Sequence, residues 1–133
     1  MEMLNRYGPL VGRVLLALIF IFAGFGKING FSGTVGYIEA YGLPMAQVAA
    51  IIAIVVELGG GIMIAAGWKA RWAAAALFIF VLIASVVFHA FWAVEADQVQ
   101  LQNIMFMKNI AIMGGLLYIM VHGSGSISVD KKR

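Results

Sequence analysis

The sequence predicts an all-α integral membrane protein: four transmembrane helices in one antiparallel bundle, with both termini cytoplasmic. Three observations lead there. Of 133 residues, 63% are hydrophobic and only 11% charged, with a mean hydropathy of +0.99. A soluble domain carries roughly a quarter charged residues, and one this small could not bury so much apolar surface. Four apolar stretches approach the roughly 20 residues needed to cross a hydrocarbon core about 30 Å thick. Lysine and arginine are also unevenly shared between the two ends of those stretches.

The first span covers about 11–28. Arg6 followed by an apolar run could pass for a signal peptide, but no small-x-small cleavage site precedes a polar region, so it reads as an uncleaved span. The connection 29–44 contains Gly30, Gly33, Gly36, Gly42 and Pro44 as breakers, with room for a short helix around 35–41. The second span covers about 45–67 and ends at Gly67, where "WKAR" makes a tight turn. The third covers about 72–94. "EADQVQLQN" (95–103) reads as a solvated loop, the fourth span covers about 104–121, and the tail 122–133 is expected to be mobile. Backbone groups in lipid must be satisfied internally, and strand alternation is absent, so each span is a helix. No linker divides the chain; it is a single domain.

With four spans, the N-terminus, the 68–71 turn and the C-terminus share one side. That side holds Arg6, Arg13, Lys69, Arg71, Lys131, Lys132 and Arg133; the other has Lys27 beside Glu39, Glu95 and Asp97. The positive-inside rule assigns the first side to the cytoplasm. Trp68 and Trp72 suit the inner interface and Trp92 the outer one.

Cysteine is absent, which removes thiolate chemistry, disulfides and Cys-ligated zinc or iron–sulfur centres. The two histidines, His89 and His122, fall at opposite membrane sides and cannot clamp one haem, and no metal-ligand spacing occurs. Short, scattered basic residues give no nucleic-acid surface.

The chemistry therefore sits in charges within the spans. Glu57 lies about 18 Å into the second span, near the bilayer centre. A carboxylate there costs on the order of 3 kcal/mol on insertion scales, so it faces protein and finds a partner or takes up a proton. Gly60 and Gly61 follow on its helix face, and Ala50 and Ala53 precede it, a small-residue seam for a neighbouring helix. On the first span Arg13, Ala17, Phe20, Gly24 and Lys27 share a face at steps of four and three, so Arg13 and Lys27 bracket the height of Glu57. Lys108 is a third candidate cation. Three roles stay open for Glu57: a register-fixing ion pair, a proton-accepting or ligand-binding carboxylate, and a protonated lipid-facing side chain. His89, with Ser85 and Trp92 a turn away, reads either as an interior hydrogen-bonding residue or as a relay or ligand contact. Lys108 and Asn109 either snorkel outward or line the pocket. Gly114 and Gly115 in the fourth span, like Gly60 and Gly61, read as packing glycines. Lys27, His89 and Lys108 lie outward of Glu57, so a cavity is expected to open outward, with Trp92 at its rim and Ala53 and Ser85 within reach.

Several segments, taken in order, resemble the DoxX family of small bacterial membrane proteins: "GRVLLALIFIFAGFGKINGF", "YGLP", "VELGGGIMIAAGWKAR", "FHAFW" and "FMKNIAIMGGLLY". The similarity spans about 11–121, and its order and spacing are more specific than any one piece. The matching positions are Arg13, Gly24, Lys27, Gly42, Pro44, Glu57, Gly60, Gly61, Arg71, His89, Trp92, Lys108, Asn109 and Gly114. The resemblance implies a four-helix inner-membrane protein. Some family members are subunits of quinone-linked enzymes such as thiosulfate:quinone oxidoreductase, and others associate with redox-defence proteins.

The leading expectation is a membrane subunit of a quinone-linked or oxidative-stress redox system, with its partner subunits, and with a quinone as the candidate cofactor. Glu57 would manage the proton while Lys108 and His89 hydrogen-bond a carbonyl. Two other classes compete. A small-solute transporter or channel would need a homo-oligomer, for which Gly26–Gly30 offers GxxxG spacing. A non-catalytic membrane scaffold would use its charges for packing alone.

Overall fold

A computed structural model describes residues 1–130, and among them there is no strand. Four helical runs are long and apolar enough to cross a membrane: Glu2–Asn29, Ala46–Ala66, Ala70–Ala93 and Ala96–His122. The orientation count included Lys131, Lys132 and Arg133, which lie outside the described residues.

Helix α1 (Glu2–Asn29) begins well before the expected boundary at 11. Pro9 removes one backbone donor without ending the helix, since the segment ahead of it is rich in helix-forming side chains. The buried residues of α1 are Arg13, Ala17, Phe20 and Gly24, the face expected from steps of four and three. After Gly30 a short helix α2 (Phe31–Ala40) lies in the connection, and its Val35 and Ile38 pack with Ala46 and Ala50 of the next span.

The second span consists of α3 (Ala46–Ile54), a π-helical segment (Val55–Gly59) and α4 (Gly60–Ala66). Its buried face is Ala46, Ala50, Ala53, Glu57, Gly60, Gly61 and Ile64. Gly67 ends it with φ of 73°, the left-handed conformation that glycine adopts without penalty. The third span, α5 (Ala70–Phe88), stops earlier than the expected 94. His89 leaves helical geometry with φ of −125° and ψ of 39°, and a single 3₁₀ turn follows at Phe91–Ala93. The reason is local: the Phe91, Trp92 and Phe106 rings cluster with centroids 5.1–5.5 Å apart, drawing the chain across towards the last helix. The expected loop 95–103 is mostly structured, with a 3₁₀ turn at Ala96–Gln98 and then α6 (Val99–His122), so Gln100 and Gln102 are helical.

Around the bundle, α1 packs on α4 and the π segment, α4 on α5, and α5 on α6, whereas α6 barely meets α1. Ala17, Phe20, Ile64, Ala74, Leu77, Val81, Met113 and Leu116 fill the centre. Large apolar side chains such as Phe22, Ile83, Trp72 and Tyr118 point outward, as suits a surface solvated by acyl chains.

The tail departs most from expectation. Residues 123–130 are docked across the termini end of the bundle. Val129 N donates to Ala66 O at 3.1 Å and Asp130 N to Gly67 O at 2.9 Å. The Asp130 carboxylate accepts from Lys69 N at 2.8 Å and Ala70 N at 3.3 Å, capping the start of α5. A carboxylate belongs there, because a helix N-terminus has unpaired amides and a positive dipole end.

Candidate intramembrane site

Glu57 occupies the middle of the π segment, where one extra residue per turn widens the helix, a feature concentrated at functional positions. Its side chain turns into the bundle and is nearly buried. Lys27, in the last turn of α1, meets it with Nζ 2.6 Å from Oε1. At that distance the ammonium donates to Oε1, and the carboxylate keeps further lone pairs for a second donor. Glycines permit this closeness. A β-carbon at Gly24 would lie 2.7 Å from Leu58 Cβ, and one at Gly61 would lie 3.1 Å from Phe20 Cβ. Gly60 likewise lies under Leu77. The cation that pairs with Glu57 is thus Lys27, one turn beyond the helix contact at Gly24.

The other two candidates go elsewhere. Arg13 is buried at the termini end, where its Nη2 donates to Ile127 O at 2.7 Å. Lys108 is exposed on α6, where among the described residues its Nζ reaches Met105 Sδ at 3.8 Å, so it does not line a common pocket with Glu57. The reason is that α6 is apolar on most of its circumference, and sequence alone does not say which side faces in.

His89, Asn109 and Trp92 gather at the junction of α5 and α6. His89 Nδ1 lies 2.8 Å from Gln102 Oε1, and Asn109 Nδ2 donates to Ser85 Oγ at 3.0 Å. The Ser85 hydroxyl in turn donates to Val81 O at 2.7 Å. These bonds stitch the two helices together; such links typically contribute about 0.6 kcal/mol each in lipid. Sequence reasoning put Ser85 on the face of His89 and Gln102 in the solvated loop, but did not pair Ser85 with Asn109 or Gln102 with His89. Gly115 approaches Leu16 at ordinary contact distance, but Gly114 is exposed with open space beside it and takes no part in packing.

The expected outward cavity is not how the described residues are arranged, because Ala53 and Ser85 are buried in packed helix faces. Free space of about 480 Å³ lies instead at the termini end, in a groove between α1 and α6 lined by Pro9, Gly12, Arg13, Leu16, Gly115 and Ile119 among others. No group of three or more His, Asp or Glu side chains among the described residues is placed to hold a metal ion.

The sequence profile of the DoxX family matches residues 8–90, more than half of the chain and including both Lys27 and Glu57. The chain belongs to the DoxX family. It is similar to inner membrane protein YphA of Escherichia coli, with 39% identity over 123 residues, 92% of this chain and 88% of that one. It is also similar to inner membrane protein YqjF of the same organism, with 37% identity over 131 residues, 98% and 95% of the two chains. A more distant likeness, at 29% identity, is to the Surfeit locus protein 4 homolog of Schizosaccharomyces pombe; it covers 97% of this chain and 38% of the yeast protein. No solved structure matches. This DoxX protein is accordingly a multi-pass protein of the inner membrane, surrounded by lipid.

Proposed function

We propose that this DoxX protein is a membrane subunit of a redox system, quinone-linked or serving oxidative-stress defence, with both termini in the cytoplasm. One observation carries the reading. A carboxylate oxygen within a membrane span, Glu57 Oε1, is paired with the partly exposed ammonium of Lys27 at 2.6 Å. Such an oxygen can accept a hydrogen bond from a hydroquinone hydroxyl, and the pair can take up its proton as Lys27 adjusts its position. Lys27 keeps 30% of its side chain exposed, enough to offer a donor to a carbonyl oxygen that arrives from the lipid. The quinone supplies the electron chemistry. The protein's own groups bind, orient and exchange a proton at Glu57 Oε1.

The test is binding of a short-chain ubiquinone analogue to the protein in nanodiscs, followed by quenching of tryptophan fluorescence. The expected outcome is saturable binding that weakens about tenfold in Glu57→Gln, the equivalent of one charge-assisted hydrogen bond. Equal binding to the native protein and the variant removes the basis for this reading.

A scaffold role is the second reading, and a separate observation favours it. His89, Gln102, Ser85 and Asn109 satisfy one another across α5 and α6, as groups with a purely architectural task would. Under that reading the paired replacement Lys27→Met with Glu57→Leu leaves a folded protein that still supports its partners.

A further inference from the structure

We propose that α2 is a gate that controls the access of water to the Lys27–Glu57 pair. The inference rests on the proton exchange assigned to Glu57 in the redox reading: a proton taken from a hydroquinone hydroxyl must pass on to water before the carboxylate can act again. It names the side on which that happens, the end of the bundle away from the termini.

The packing divides at that end. α2 holds Val35 and Ile38 against Ala46 and Ala50 of α3, in a hydrophobic cluster that shares no residue with the one filling the bundle centre. Ala53 and Glu57 continue the buried face of the second span but belong to neither cluster. Towards the termini the way to Glu57 is shut, since Leu77 closes on Gly60, Phe20 closes on Gly61, and Ile64 is fully buried. Towards the other end the buried face of α3 carries alanines, Ala53, Ala50 and Ala46, and α2 covers the last two. Moving Val35 and Ile38 aside leaves only methyl groups on that face, along about 16 Å of helix from Ala46 to Glu57.

α2 is joined to its neighbours so that it can move as a piece. At one end Gly30, three residues after Lys27, leaves helical geometry with ψ of 44°; at the other Gly42 has φ of 76°. Met45 follows with φ of 53°, a left-handed conformation that residues other than glycine adopt only at a cost. α2 rests chiefly on α3 and touches α1 little. A latch of rings ties its far end to the last residue of α5. Tyr37 stacks on Phe88 with centroids 5.4 Å apart, and Tyr41 meets the same ring edge-on at 4.9 Å. The Tyr37 hydroxyl donates to that of Tyr41 at 3.4 Å, and the Tyr41 hydroxyl donates to Phe88 O at 3.5 Å. Both bonds are long beside the roughly 2.8 Å usual for hydroxyls, and both tyrosines are exposed, so the latch is weak enough to open.

The test measures access directly, in the full-length protein in nanodiscs with no quinone present. The chain has no native thiols, so a single cysteine at Ala53 reports on the seam and one at Ile64 on the bundle centre. Each is read by its rate of reaction with a small cationic methanethiosulfonate. With α2 latched, Ala53→Cys should react slowly. Adding Phe88→Ala, which removes both ring contacts, should speed it about tenfold and leave Ile64→Cys unreactive. Tyr41→Phe, which loses only the long hydroxyl bonds, should give a smaller gain. Tyr37→Ala breaks the latch from the exposed surface and decides the matter if Phe88→Ala does not fold. An unchanged rate at Ala53 in the unlatched variants, or an equal gain at Ile64, would overturn the gate. No quinone enters the measurement, so loss of the quinone reading would leave this result standing, and loss of the gate would leave the quinone affinities untouched.

Discussion

Gly24 of α1 and Leu58 of the π segment approach so closely that a β-carbon on the glycine would lie 2.7 Å from Leu58 Cβ and 3.0 Å from Leu58 N. Part of that contact is backbone, which cannot rotate away. Gly24→Ala is therefore expected to destabilise the protein by about 1–3 kcal/mol, as overpacking does. Gly26→Ala, two residues on, has nothing within 4 Å of its added methyl and should be neutral. Denaturation of both variants in mixed micelles checks the contrast. Equal losses would mean that this helix contact does not set the spacing.

The Lys27–Glu57 pair is expected to show strong coupling. Removing one partner leaves an uncompensated charge, at a cost of about 3 kcal/mol, the lower end for buried pairs because Lys27 is partly exposed. The double variant Lys27→Met with Glu57→Gln should recover most of that loss. A double-mutant cycle measures the coupling directly. Additive losses would show that the two side chains act independently.

Access to the half of the bundle away from the termini is expected to be closed. Cysteines introduced at Ala53 and Ser85 should resist a small polar maleimide added from either side, since both positions are buried, whereas a cysteine at the exposed Trp92 should react. The absence of native thiols makes the readout clean. Rapid labelling at Ser85→Cys would show that α5 and α6 separate despite the bond between Ser85 and Asn109.

Some of this arrangement was legible in the residues. The run Arg13, Ala17, Phe20, Gly24 has the spacing of one helix face, and those residues are the buried ones. The small-residue seam around Glu57 was readable for the same reason. The π segment was not, because widening a helix by one residue leaves no mark in composition or periodicity. Nor was the facing of α6: a helix apolar nearly all round has no preferred side, so Lys108 reads equally as pocket-lining or snorkelling and Gly114 as a packing residue, and both lie exposed. The tail misled by its glycines and serines, which suggest mobility when counted and dock when their backbone groups meet the unpaired carbonyls at Ala66 and Gly67.

That docked tail has a bearing on biogenesis. Arg13 enters the bilayer with the first helix, yet its partner Ile127 is 114 positions later in the chain. The amides that open α5 likewise wait for Asp130. Until those residues have been synthesised, Arg13 Nη2 and the first amides of α5 are without these acceptors. A chain interrupted before residue 124 would hold all four spans and lack both of these contacts.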